Sequence, residues 1–162
     1  MSDRSVSPVT HDTADRELVL TRVIDAPREL VFGAFTDPKN IGTWWGPRGF
    51  TITTQSIDIR VGGTWLFVMH GPNGMNWDNR IDYEEIVPYE RIAYEHGSKL
   101  NDPESFGVII TFTDEGGRTR VQMKSVFKTA AQVETVKGFG AVELGYQTLD
   151  KMAEYVRAQR TN

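Results

Sequence analysis

The sequence predicts an α+β domain: one curved antiparallel sheet of about seven strands wrapped around a long C-terminal helix, with two short helices after the first strand. Three observations carry this reading. From Phe50 to Phe127 the chain is a succession of short alternating runs broken by Gly, Pro, Asn and Asp, each with strand length and strand composition. A β-branched run, "ELVLTRVI" at 17–24, precedes them. The chain then closes on "AVELGYQTLDKMAEYVRAQ" at 141–159, where Val142, Gly145, Leu149, Met152 and Val156 recur at helical spacing.

Taken in order, residues 1–16 are rich in Ser, Thr, Asp and Pro and bury almost nothing, so a flexible tail is expected, with a single domain over 17–160. After the first strand, "DAPRELVFGAFTD" reads as a helix with Asp25 as N-cap, Pro27 in the first turn, and Leu30, Val31 and Phe35 at helical spacing. "DPKNIGTWW" offers a second short helix opened by Asp37 and Pro38 and stopped by Gly46-Pro47. Six strands follow in "FTITTQSIDI", "GGTWLFVMHG", "MNWDNRIDYEEIV", "ERIAYEH", "FGVIITFTDE" and "RTRVQMKSVF". Hairpin turns fall at "GPNG" (71–74) and "DEGG" (114–117), and a longer loop at "HGSKLNDPES". "TAAQVETVKGFG" has room for a short helical turn before the last helix. That helix, rising about 1.5 Å per residue, is the only element long enough to cover one face of the sheet, and a gap between the two layers is expected.

The hairpin at 71–74 orients the side chains. A three-residue loop Pro72-Asn73-Gly74 with Gly74 left-handed sets Met69 opposite Trp77 and puts Trp65, Phe67, Met69, Trp77, Ile81 and Tyr83 on one face. A two-residue Asn73-Gly74 turn would instead move Trp77 to the face of Leu66, Val68 and His70. The first is preferred because it collects the bulky side chains. The expected cavity is therefore apolar, lined by Trp65, Phe67, Met69, Trp77, Tyr83 and Tyr146.

Composition narrows the function. The chain has 162 residues and a net charge of −4 from 22 acidic and 18 basic side chains, which gives no single-signed field to draw it onto nucleic acid or a membrane. It has no cysteine, so disulfides, thiolate metal sites and a thiol nucleophile are excluded. The polar start lacks the apolar stretch of a signal peptide, and a cytoplasmic location is expected.

The motifs Trp44-Trp45-Gly46-Pro47, Asp58-x-Arg60-x-Gly62-Gly63 and Glu85-Ile86-Val87-Pro88, with Tyr146 in the late helix, resemble the family related to the C-terminal domain of the activator of Hsp90 ATPase, within the START-like or SRPBCC superfamily. The resemblance spans about Glu17 to Gln159; where that family often has Pro-Pro-Glu-Arg, this chain has Pro88-Tyr89-Glu90-Arg91. It implies a helix-grip fold with a cavity between sheet and last helix, and members that act as cochaperone domains, carriers of apolar ligands or polyketide aromatases and cyclases.

Within such a fold the short helices bridge the mouth of the sheet, so of the tandem tryptophans Trp44 is expected to pack inward and Trp45 to line the entrance. Asp58 and Arg60 are expected to pair or to anchor a loop, and Gly62-Gly63 to allow a bend or close backbone approach. Asp78, Arg80, Asp82 and Glu84 read as a solvated strand face, and Glu85 would turn inward only if the strand bulges. His70 and His96, each followed by Gly at a strand end, read as surface residues, and His11 lies in the tail, so no metal site is expected. No nucleophile or acid–base pair stands out, so no catalytic residue and no cofactor is assigned.

The reading is binding of a small hydrophobic or aromatic ligand through Trp44, Trp45, Trp65, Phe67, Met69, Trp77, Tyr83 and Tyr146. Its alternatives are a chaperone-interacting module and a cyclase or dehydratase using Glu85 or Tyr83. The partners expected are the ligand, with a chaperone and a second copy of the chain as further options, and neither nucleic acid nor membrane.

Overall fold

The computed structural model describes residues 13–160; the rest of the expected tail lies outside the described residues. A 3-10 turn, Ala14–Arg16, leads into β1 (Glu17–Ile24), α1 (Arg28–Thr36) and α2 (Ile41–Trp44). Six strands follow: β2 (Thr51–Ile57), β3 (Thr64–His70), β4 (Asn76–Val87), β5 (Arg91–Gly97), β6 (Phe106–Glu115) and β7 (Arg118–Val126). The chain then forms α3 (Ala130–Gly138) and α4 (Ala141–Arg160). The sheet is seven-stranded with order β1-β7-β6-β5-β4-β3-β2, every neighbouring pair antiparallel. This is the helix-grip arrangement that the order of elements predicts.

Turn chemistry sets the register. In the β3–β4 hairpin the Gly71 N–H donates to the Met75 carbonyl, which leaves Pro72-Asn73-Gly74 as the loop with Gly74 at φ +85°. Met69 consequently pairs with Trp77 and Trp65 with Ile81, as the three-residue turn requires. At β6–β7, Glu115 pairs with Arg118 across Gly116 and Gly117, both at positive φ, as a tight two-residue hairpin demands. Gly62 and Gly63 allow a close approach: a Cβ on Gly63 would lie 2.1 Å from the Asp58 carbonyl oxygen. The Gly62 N–H donates to the Tyr83 carbonyl and the Tyr83 N–H to the Gly63 carbonyl, docking this turn onto β4.

The core is the concave face of the sheet against α1, α2 and α4. Leu20, Trp65, Phe67, Ile81, Tyr83, Ile92, Tyr94, Val108, Ile110, Phe112 and Val121 project inward from the strands, and α4 closes them with Leu149, Met152 and Val156. A Cβ on Gly145 of α4 would come 2.4 Å from Leu20 Cδ1, so the helix lies hard against β1 at that point. Among the described residues no helix is long and apolar enough to cross a membrane.

Three local expectations are corrected. Asp25 is not the N-cap of α1: the cap position is Pro27, and the Asp25 carbonyl instead accepts from the Arg160 guanidinium at the far end of α4. Residues 130–138 are a full helix, opened by the Thr129 hydroxyl accepting from the Gln132 N–H while the Gln132 amide oxygen accepts from the Lys128 N–H. The β4 strand does shift register between Tyr83 and Glu85, but Glu85 stays on the outer face. There it makes a two-pronged pair with Arg91, at 2.7 and 2.9 Å, which holds its carboxyl below the usual range. The bulge places Tyr83 and Ile86 inward and leaves no inward-turned carboxylate at 85.

Candidate functional site

The tandem tryptophans both enter the core. Trp44 is 2% exposed and Trp45 7%, so the expected inequality is not observed. The reason is that α2 lies between two apolar walls. Trp44 turns toward α1, its indole N–H donating to the Ala34 carbonyl and its ring edge-on to Phe35. Trp45 turns the other way, edge-on to Trp65 at 5.2 Å, and Trp65 stacks on Phe67 at 4.1 Å. The two rings stay in contact, with centroids 5.4 Å apart and planes tilted by 47°, and each has a further aromatic partner of its own, Phe35 for Trp44 and Trp65 for Trp45. Gly46 at φ +91° then turns the chain, and Lys151 of α4 donates to the carbonyls of Gly46 and Pro47. Arg48 adds a pair with Glu154, at 2.5 and 3.3 Å, and its N–H donates to the Gln147 side chain.

This aromatic block fills the deep part of the concavity. What stays open is a cleft of about 480 Å³ at one end of the sheet, walled by Pro47, Phe50, Met69, Trp77, Phe106 and Leu144, with Asp78, Asn79, His96, Gly97, Ser98, Asp102 and Glu104 around it. The structure thus divides the expected set. Met69 and Trp77 line the cleft; Trp44, Trp45, Trp65, Phe67 and Tyr83 are closed into the core. Tyr146 faces β1, where its hydroxyl accepts from the Thr21 N–H at 3.4 Å and the Arg22 guanidinium lies 4.0 Å over its ring. The residue of α4 that reaches the cleft is Leu144.

Trp77 is 40% exposed, an unusual cost for so large a ring. It lies 5.9 Å from Phe50 and is seated across Gly71, where a Cβ would meet the ring at 2.8 Å. Met69 sits opposite on β3. Together these make an apolar wall held in place by the hairpin turn.

The polar side is organised around His96, which is not the surface residue its position at a strand end predicts. Strand alternation carries it inward after Ile92 and Tyr94, and the same period on β6 carries Phe106 inward beside Val108 and Ile110. His96 is partly buried, 5.1 Å from the Phe106 ring and 6.3 Å from the rings of Phe67 and Tyr94. Burial pushes its imidazole down to about 4, so it is neutral at physiological pH. Its Nε2 lies 2.8 Å from the Asn79 side-chain oxygen. The period-two signal that would have found His96 and Phe106 was present in the sequence; the glycine after His96 masked it by marking the strand's end.

The 98–105 loop borders the cleft. Asp102 accepts from the Ser98 N–H, the Ser98 hydroxyl and the Glu104 N–H, and these bonds hold its carboxyl down to about 2. A Cβ on Gly97 would meet Asp102 and Ser105 at 3.1 Å, a tight contact that the loop would have to yield to by a few tenths of an ångström. Deeper in, Tyr83 and Tyr94 are 4% and 3% exposed, and desolvation raises both phenols above their ordinary range. No group of three or more His, Asp and Glu side chains able to hold a metal ion comes together among the described residues.

Comparison with known proteins agrees with this geometry. Residues 25–157 match the model of the family described as Activator of Hsp90 ATPase homolog 1-like protein. A crystal structure of a Nitrosomonas europaea protein superposes with a TM-score of 0.82 at 21% identity, covering 92% of this chain and 99% of its own. One from Chromobacterium violaceum gives 0.75 at 24% identity, over 86% and 96% of the two chains. The AHSA1 protein from Silicibacter pomeroyi gives 0.72 at 19%, over 88% and 99%. At these identities the likeness speaks for the fold alone. No curated protein matches the chain.

Proposed function

We propose, for a chain that belongs to the Activator of Hsp90 ATPase homolog 1-like family, that its cleft binds a small hydrophobic or aromatic ligand and does not transform it. The observation that carries this reading is Trp77: a large ring held 40% exposed against Phe50 and Met69 on the wall of a 480 Å³ cleft. A volume of that order suits one drug-sized molecule, and an exposed indole gains contact area when the site fills. Binding without chemistry is supported by the state of His96. Its Nε2 partner is an amide and not a carboxylate, and a neutral imidazole pushed down to about 4 is a weak base at neutral pH.

The test is a titration with an environment-sensitive apolar dye and a panel of uncharged naphthalenes, read by calorimetry. Saturable binding that weakens about tenfold or more in Trp77→Ala, with the melting curve unchanged, supports the reading; a naphthalene wall contact of this size is worth roughly 1–2 kcal/mol. Absence of saturable binding by every probe overturns it.

A further inference from the structure

The hydrogen-bond chain beside His96 fixes which of its nitrogens carries the hydrogen. The Asn79 amide nitrogen donates to the Trp77 carbonyl at 3.1 Å, which turns the amide oxygen toward His96. That oxygen can only accept, so the Nε2 of His96, 2.8 Å away, carries the hydrogen. In a neutral imidazole the other nitrogen is then a bare lone pair. Nδ1 of His96 has no hydrogen-bond partner among the described residues, although the ring borders the cleft. A partly buried acceptor without a donor is an unmet demand.

The charges around it discriminate further. Asp78, Asp102 and Glu104 border the same cleft, and no lysine or arginine does. Lys128 reaches the loop, but its ammonium is engaged by the carbonyls of Asp102 and Pro103 and the Ser105 hydroxyl. An anionic ligand would meet three carboxylates there, with no lysine or arginine on the cleft wall to offset them.

Building on the apolar-ligand reading above, we propose that the cleft selects uncharged aromatic molecules bearing a hydroxyl, whose O–H donates to His96 Nδ1 while the ring lies on Trp77 and Phe50. Asn79 is a positioning residue in this arrangement: it fixes the tautomer without touching the ligand. A ketone or ether of the same shape offers no donor, and a carboxylate of the same shape carries the wrong charge.

Three probes of matched shape separate these terms: naphthol, methoxynaphthalene and naphthoate, titrated by calorimetry at neutral pH. Naphthol should bind about tenfold more tightly than methoxynaphthalene, the value of one satisfied hydrogen bond, and naphthoate should bind weakest. His96→Phe should erase the preference for naphthol, bringing it to the level of methoxynaphthalene. Nitrogen-15 spectra of the wild-type imidazole give a readout independent of any variant's folding: His96 should show a protonated Nε2 and an unprotonated Nδ1 whose resonance moves on adding naphthol. Asn79→Leu should abolish the single tautomer and reduce the naphthol preference. Equal binding of naphthol and methoxynaphthalene, or a proton found on Nδ1, overturns this inference while leaving the apolar-ligand reading intact. Failure of all three probes and of the apolar dye to bind overturns both.

Discussion

At the scale of single residues, burial decides what each aromatic does. Trp44 and Trp45 are both core, so alanine at either position should cost about 3–5 kcal/mol, as large aromatic truncations do. Urea melts of the two variants check this; a loss below about 1 kcal/mol for Trp45→Ala would restore it to the entrance. His96 makes a pH-dependent contribution whose sign follows from its depressed pKa. The unfolded imidazole, near 6.5, binds a proton that the folded one resists until about 4. The stability from burying neutral His96 is therefore fully present above pH 6.5 and is lost as pH falls through that window toward 4. Subtracting the pH–stability curve of His96→Phe from that of the wild type isolates it, since the other residues around the cleft are common to both. A flat difference between pH 7 and 4 would contradict the burial of the ring.

At the scale of elements, glycine separates stiff from forgiving contacts. Gly63→Ala drives a Cβ into the Asp58 backbone carbonyl, which cannot move without breaking the turn, and should cost roughly 3 kcal/mol or more. Gly145→Ala meets only the tip of the Leu20 side chain, and in mid-helix the alanine regains up to about 1 kcal/mol of propensity. Its net cost should be the smaller, and thermal melts of the pair rank them. The strands were legible because their signals are local: β1 and β6 match the sequence reading residue for residue, and the three-residue loop that gathers the bulky side chains on one face sets the β3–β4 register. The shape of the cavity was not legible. Alternation puts Trp65, Phe67, Met69 and Trp77 on one face, but only the third dimension shows that Trp45 covers the first two and leaves the last two open. The Lys151 and Arg48 bonds that pin the 46–48 loop join residues about a hundred positions apart, beyond any periodicity. The α3 helix was underread although its Thr129-x-x-Gln132 cap stood in the sequence.

At the scale of the whole molecule, one sheet carries the stability and its two margins differ from its middle. The amides of β6 and β7 are paired on both sides and packed under α1, so they should exchange slowest with solvent. β2 forms one margin, largely exposed and interrupted by a register shift between Thr54 and Ser56, and should exchange fastest of the strands. Hydrogen exchange followed by mass spectrometry tests the order; β2 amides as protected as those of β6 would mean that another chain pairs along that margin. The opposite margin has a consequence for biogenesis. β1 is the first of the described strands to be made, yet its partner is the last of them: Glu17 pairs with Val126 and Ile24 with Thr119. On the ribosome, the meander from β2 to β7 can assemble strand by strand as it emerges, while β1 and the helices after it wait through some hundred residues of synthesis. The N-terminal strand is therefore the segment longest exposed to chaperones and to misdirected pairing, and a nascent chain stalled before Arg118 would hold it with no native strand to join.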